Sequence, residues 1–204
     1  MNEERGFFEV VRARRSVRSF TERVPGQEEL ERMVEAAQWA PSNHNRQGWK
    51  FLVLRDRGKI GEIAARVGET LKEKLAGAER MVAERGEELV YYGTLFERAP
   101  VVILALHKKS PAVGKGLLEA FGASGVSSEA ISTAMAVENM LLAAEAMGVG
   151  TCVMTAPLLA QEVWKEMCDL PAGYEPTCVV AVGYAAEEAP APRRKPMETI
   201  VEYR

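Results

Sequence analysis

The chain has 204 residues, 47% of them hydrophobic, enough for the core of one globular domain. Its 26 Lys+Arg against 29 Asp+Glu leave a formal charge of −3, which argues against a general nucleic-acid coat. No apolar run reaches the ~18–20 residues of a membrane helix, and Met1-Asn2-Glu3-Glu4-Arg5-Gly6 lacks the basic-then-apolar form of a signal peptide.

Residues 7–15 read as a short helix ending in a basic cluster. Residues 27–40 form a clearer helix, with Leu30, Met33, Val34 and Ala37 at helical spacing and Pro41 as its stop. Phe51-Leu52-Val53-Leu54 is a short apolar strand. From Gly58 to about Glu88 the pattern is helical and heavily charged; Glu62 precedes Arg66 in the favourable i,i+4 order, and the alternating signs describe a solvated face. Residues 101–106 are apolar on both faces and predict an interior strand. A Gly-rich stretch, 110–125, leads into a helix over 128–147 that is apolar almost all round and therefore covered on most sides. A third strand over 149–154, a helix over 160–167 and a fourth strand over 177–182 follow. Four apolar strands spaced by helices predict an α+β core of three layers, in a single domain over 1–204. The tail past Pro192 is polar and long enough to reach a partner.

The candidate chemistry is spread along the chain. Arg12, Arg14, Arg15 and Arg18 surround Ser16 with no acid among them, and Arg193, Arg194 and Lys195 precede Pro196. Closely spaced guanidiniums suit a phosphate, since each donates paired hydrogen bonds to its oxygens. Two solvated basic patches are the plainer reading. Nucleic acid is disfavoured because no aromatic residues interleave with the arginines. Between the second helix and the first strand lies Ala40-Pro41-Ser42-Asn43-His44-Asn45-Arg46-Gln47-Gly48-Trp49, with polar side chains throughout 42–46. Such a run offers donors and acceptors to a polyol or the edge of a heterocycle, or else simply closes a turn.

The cysteines Cys152, Cys168 and Cys178 are odd in number and lack a Cys-x-x-Cys pair, as free thiols in a reducing compartment do; a cytoplasmic location follows as the expectation. Cys152 reads as a small buried apolar residue, since no cation adjoins it in sequence. With only His44 and His107, a multi-histidine metal site is not expected, and His44 reads as a solvent-facing loop residue. Gly148-Val149-Gly150 is no dinucleotide fingerprint: Val153 stands where a third glycine belongs, and the motif precedes a strand.

Arg14-Arg15-Ser16-Val17-Arg18, the 40–49 segment, Gly148-Val149-Gly150-Thr151-Cys152 and Arg193-Arg194-Lys195-Pro196, in this order, together resemble the successive motifs of the nitroreductase family of FMN flavoproteins. The resemblance implies a three-layer α+β fold with a mainly antiparallel central sheet. It also implies an intertwined homodimer with FMN at the subunit interface, reduced by NADH or NADPH and reoxidised by a small-molecule acceptor such as a nitroaromatic or quinone, by a ping-pong route. A narrower flavin-dependent reductase of the same fold, or a non-catalytic FMN storage or sensor module, are the alternatives; neither nucleic acid nor membrane is an implied partner. By position, Arg14 and Ser16 hold the phosphate and ribityl end, with Arg15 beside them. Arg18 approaches the ribityl and the pyrimidine edge, where a cation favours the reduced ring. Pro41, Ser42, Asn43 and Asn45 line the ring from the partner subunit, and Met154, Thr155 and Ala156 face it chiefly through backbone. Arg194 best matches the C-terminal phosphate arginine, with Arg193 and Lys195 as neighbours in an ambiguous register. No protein nucleophile is implied, because hydride transfer needs only stacking of donor on acceptor. Gly48 stands where the family often has proline, which loosens that loop. Some relatives dehalogenate halotyrosines under a lid bearing a lysine; Tyr91-Tyr92-Gly93-Thr94 in the matching stretch has none. The segment over the flavin face matches 108–127, where Phe121 either gates the substrate pocket or plugs the core.

Overall fold

The computed structural model describes residues 6–77, 84–109 and 127–204. Four strands, β1 (Trp49–Leu54), β2 (Val101–Lys108), β3 (Gly150–Met154) and β4 (Tyr174–Gly183), form one sheet in the order β1-β2-β4-β3. Every pairing is antiparallel. Six helices accompany them among the described residues: α1 (Phe7–Ala13), α2 (Gln27–Gln38), α3 (Arg57–Ala76), α4 (Gly86–Thr94), α5 (Ser128–Ala146) and α6 (Gln161–Met167).

Because side chains alternate along a strand, each central strand supplies both faces of the sheet. Val102, Leu104, Leu106, Cys152, Met154, Val179 and Ala181 pack on one face against Ile60, Ile63, Val67 and Leu71 of α3, Phe96, and Trp164 of α6. Val101, Ile103, Ala105, Cys178, Val180 and Val182 pack on the other against Leu30, Met33 and Ala37 of α2 and Ala136, Val137, Met140 and Leu141 of α5. The three layers expected from the sequence are these: α3, α4 and α6, then the sheet, then α2 and α5.

Local signals account for the element ends. Asp56 caps α3 by accepting from the Gly58 and Lys59 amides at 2.8 and 3.2 Å. Ser127 caps α5 by accepting from the Ala130 amide. At the far end of α5, Gly148 takes φ +75° and donates to the Glu145 carbonyl, while Val149 donates to Ala144. That paired bonding ends the helix and needs a residue free to be left-handed. The helical run expected over 58–88 differs in detail: α3 stops at Ala76, with Gly77 as its cap, and a separate α4 runs from Gly86 to Thr94. Strand β4 starts at Tyr174, earlier than its apolar core suggested, because Tyr174 and Glu175 are half-buried and mark no apolar run.

Candidate functional site

The edge of β3 organises the site. Residues 14–18 run alongside it: Ser16 bridges Thr151 in parallel, and the Val17 amide donates to the Thr151 carbonyl at 2.9 Å. This pairing also satisfies an edge that would otherwise stand open. It depends on Gly150, where a Cβ would lie 2.8 Å from Val17 Cγ2. Beyond it, Thr21 donates to Tyr184 and Ala186 to Ser19, so the chain leaving β4 is held beside the same segment.

Two adjoining cavities result. The first, of about 260 Å³, is lined by Arg14, Arg15, Ser16, Arg18, Ala189, Pro190, Pro192 and Arg194. Both basic clusters of the sequence thus meet, with no acid among the described lining residues. The second, of about 390 Å³, shares Arg14 and Ser16 and extends over the sheet toward α5. Its walls are apolar at Ala134, Val137, Leu141 and Val153, and hydroxylated at Thr151, Thr155 and Thr177. Arg14 stands between them, its Nε 3.6 Å from Glu138 on α5. Arg15 and Arg18 turn one nitrogen each to local carbonyls, of Arg12 and Arg14 and of Ser16 respectively. A guanidinium has five donors, so each keeps several for a ligand.

Of the other residues singled out in the sequence, Arg193 is exposed and lines neither cavity. Thr155 lines the larger one, while Met154 lines neither, its side chain 7% exposed and packed in the α3-side core. Ala156 is half-buried and opens the turn after β3. Pro41, Ser42, Asn43 and Asn45 line neither cavity of their own chain. Their loop is instead anchored on the N-terminal end of α5: the Asn43 amide donates to Ser132 Oγ at 3.1 Å and Asn43 Nδ2 to Ser128 Oγ at 3.0 Å. Arg46 reaches Glu129 at 3.5 Å. Ser42 Oγ accepts from the Gln47 amide, and Asn45 Oδ1 from Gln47 Nε2. His44, Asn45 and Gln47 all have positive φ, 51°, 52° and 47°. Three non-glycine residues in that region within one loop store strain that the anchoring overrides, a pattern typical of a ligand clamp. Phe121 lies outside the described residues.

The sequence reading missed Thr151, Val153, Ala134, Val137, Glu138, Leu141, Thr177 and Cys178 of the larger cavity. An uninterrupted apolar pattern gives no hint of which part of a helix or strand meets a void. Neither Cys178, which lines the larger cavity, nor Cys152, on the other face of the sheet, is poised to react. Burial pushes Cys178 up to about 12, and burial also raises Cys152 against the lowering pull of Arg18 and Arg14. The cations absent from Cys152's sequence neighbourhood are thus near it in space, and desolvation still outweighs them.

The comparisons with known proteins agree with this architecture. The FMN reductase (NAD(P)H) of Bacillus subtilis strain 168 is 26% identical over 186 residues, which span 91% of this chain and 68% of that protein. The iodotyrosine deiodinase of Thermotoga neapolitana is 26% identical over 199 residues, 96% of each chain. A BluB-like flavoprotein from Clostridium difficile 630 superposes with a TM-score of 0.84 at 23% identity, over 98% of this chain and 99% of that one, and so shares the fold. The sequence model described as the nitroreductase family matches residues 11–184. With the sheet order, the basic cradle and that match in agreement, the chain belongs to the nitroreductase family.

Proposed function

We propose that this protein is an FMN-dependent oxidoreductase, a single domain over 1–204 working as a homodimer. It takes reducing equivalents from NADH or NADPH and passes them, in a ping-pong cycle, to a small acceptor such as a nitroaromatic or quinone. The observation that carries the reading is the joining of the guanidinium cradle to a larger cavity of mixed lining. A flavin mononucleotide has that duality: a dianionic phosphate at one end and a flat heterocycle at the other. The relative from Bacillus, named for FMN and NAD(P)H, supports the same reading.

Arg14, Arg15 and Arg194 would hold the phosphate, with the Ser16 hydroxyl as a further donor; charged hydrogen bonds of this kind are the strong ones. Val137, Leu141 and Val153 give the larger cavity an apolar wall on which a flat ring would pack, and the hydroxyls of Thr151 and Thr155 would offer donors to its polar atoms. Arg18, on the wall of the smaller cavity, would bring positive charge toward the pyrimidine edge, where negative charge builds on reduction, and so would favour the reduced state. The strained loop at 42–47 projects Ser42, Asn43 and Asn45 from a fixed junction, suited to lining a ring bound against a second copy of the chain. FMN, when bound, supplies the hydride-accepting and electron-donating chemistry, so no protein nucleophile is needed.

The test is anaerobic. FMN titrated into the apoprotein should quench its fluorescence on binding; NADH or NADPH should then bleach the bound flavin, and a nitroaromatic or quinone should restore its colour. Binding without bleaching would make the protein a storage or sensor module instead. Reoxidation by 3-iodotyrosine in preference to quinone would assign the chain the dehalogenating activity named for its Thermotoga relative, against the absence of lysine at 91–94.

A further inference from the structure

One buried titratable group has no task in this reading. His107 is the penultimate residue of β2, 9% exposed, and the alternation of that strand puts it on the α5 side with Val101, Ile103 and Ala105. Opposite it β4 slips register: Ala105 pairs with Cys178 but Leu106 pairs with Pro176, leaving Thr177 as an extra residue. A regular strand shows alternate residues to one face. Here the bulge lets consecutive residues, Thr177 and Cys178, both line the larger cavity. His107 Nδ1 lies 2.9 Å from Thr177 Oγ1. The opposite ring nitrogen, Nε2, is 3.8 Å from Glu175 Oε2, and the half-exposed Glu175 also pairs with Lys109 at 3.5 Å.

We propose that Glu175, His107 and Thr177 form a proton-delivery line from solvent into the cavity, serving the reduction of the second acceptor. The inference rests on the flavin reading above and deepens it. Reduction of a quinone consumes NAD(P)H and one proton and yields NAD(P)+ and the quinol. Reduction of a nitro group to nitroso consumes the same pair and also yields water. The nicotinamide hydride carries both electrons, so one proton per cycle must come from solvent. In the line, the Thr177 hydroxyl proton passes to the acceptor oxygen while Oγ1 takes the Nδ1 proton of the His107 imidazolium. The ring is left neutral with Nε2–H toward Glu175, and a proton from water returned to Nδ1 restores the imidazolium, which the Glu175 carboxylate stabilises, before the next cycle. Only O–H and N–H bonds change.

The surroundings suit a donor that releases its proton readily. Burial pulls His107 below the usual histidine range, against the opposing pull of Glu175 and then Glu129. These are the acids that face it among the described residues, Glu175 from β4 and Glu129 from α5; Lys109 and Arg46 pair with them. From β1, Trp49 sits opposite His107 in register and brings no charge. Thr177 is the group that meets the acceptor, and His107 acts through it.

The experiment uses FMN-loaded protein and a soluble benzoquinone. Bleaching of the parent protein by NAD(P)H decides the flavin reading by itself. Reoxidation is then followed by stopped flow across pH. In the parent its rate should fall as pH rises through the His107 midpoint. Thr177→Val should lose that dependence and run at least about tenfold slower on the acid side, and Thr177→Ser should restore both. Independently of turnover, proton NMR titration of the two histidines, assigned by His107→Gln, should show the His107 midpoint moved by Thr177→Val and lowered by Glu175→Gln. A Thr177→Val protein that keeps the parent pH profile, or whose His107 titrates unchanged, overturns the line. If the parent never bleaches, the flavin reading falls, and the NMR titration still decides whether the three groups are coupled.

Discussion

Among the described residues, Arg14 and Ser16 alone line both cavities, and Arg14 brings the charge. Removing Arg14 should weaken FMN retention more than it weakens the fold, because Glu138, its acidic partner among the described residues, is half exposed and water replaces the lost pair. A charged hydrogen bond contributes about 1.5–3 kcal/mol, so Arg14→Ala and Arg194→Ala should each raise the FMN dissociation constant about 10- to 100-fold. Fluorescence quenching of apo variants checks this, and unchanged affinity in both removes the phosphate assignment. A second residue-scale prediction concerns Glu29, which accepts hydrogen bonds from the Tyr184 hydroxyl and, at 2.7 Å, from the Gly26 amide. The Tyr184 bond first, then the Gly26 bond and the charge of Arg23, hold its carboxyl below 4.5 against the opposing effect of burial. A carboxylate depressed in the folded state stabilises it above the unfolded value, and the contribution disappears as pH falls through the folded value. Glu29→Gln should therefore melt earlier than the parent at pH 7, with the gap closing as pH drops below 4.5. A gap independent of pH would mean that packing against Tyr184, not charge, is what the variant loses.

Whole elements set where these residues can stand. Gly150→Ala would drive a methyl to 2.8 Å from Val17 and push the 14–18 segment off the edge of β3. We expect a loss of about 1–3 kcal/mol in stability and a weaker FMN site, partly recovered by Val17→Ala, which clears the clash. An uncoupled pair in melting and FMN titration would show that the segment is held from elsewhere. In the 42–47 loop, substitution must respect the backbone. Asn45→Ala removes the amide but also leaves at φ +52° a residue that tolerates this backbone less well than asparagine, costing about 1 kcal/mol. Asn45→Gly removes only the side chain, so it should melt near the parent yet bleach more slowly with NAD(P)H if that side chain addresses the flavin. A glycine variant that bleaches at the parent rate would make the loop scaffold. The strands, the long helix and both basic clusters were legible because runs of apolar or basic residues state them directly. Less legible was the split of 58–88 into α3 and α4, since the charge pattern is helical on both sides of Gly77. The bulge at Thr177 was not legible at all. Pro176 precedes it inside an otherwise ordinary apolar strand, and only the pairing register with β2 exposes the extra residue. The meeting of 14–18 with Arg194 was legible as chemistry but not as geometry, since it follows from the edge pairing of β3.

At the scale of the molecule, the single chain holds the two halves of the expected site apart. The basic cradle lies along β3, and the strained loop is anchored at the N-terminal end of α5, lining neither cavity. The same chain leaves Trp39 83% exposed, with Ile131 48% and Met135 36% exposed on a helix apolar nearly all round. The polar tail ends in an exposed Ile200, Val201 and Tyr203. Apolar surface of this kind calls for a cover, and the proposed homodimer, in which a second copy brings its loop to the first copy's cradle, would supply it. Complementation tests that arrangement. One chain carries Arg14→Ala with its loop intact, and the other carries Asn43→Ala with Asn45→Gly and its cradle intact. Each homodimer should bind FMN poorly at both sites. In the mixed dimer one site combines the two defects, while the other joins an intact cradle to an intact loop. Mixed protein, purified by two affinity tags, should therefore bind one FMN per dimer with parental affinity. If each site were built from one chain alone, every site in the mixture would carry one defect, and no parental-affinity binding would appear. That result would return the loop to its own subunit and the cradle to a flavin bound without a partner.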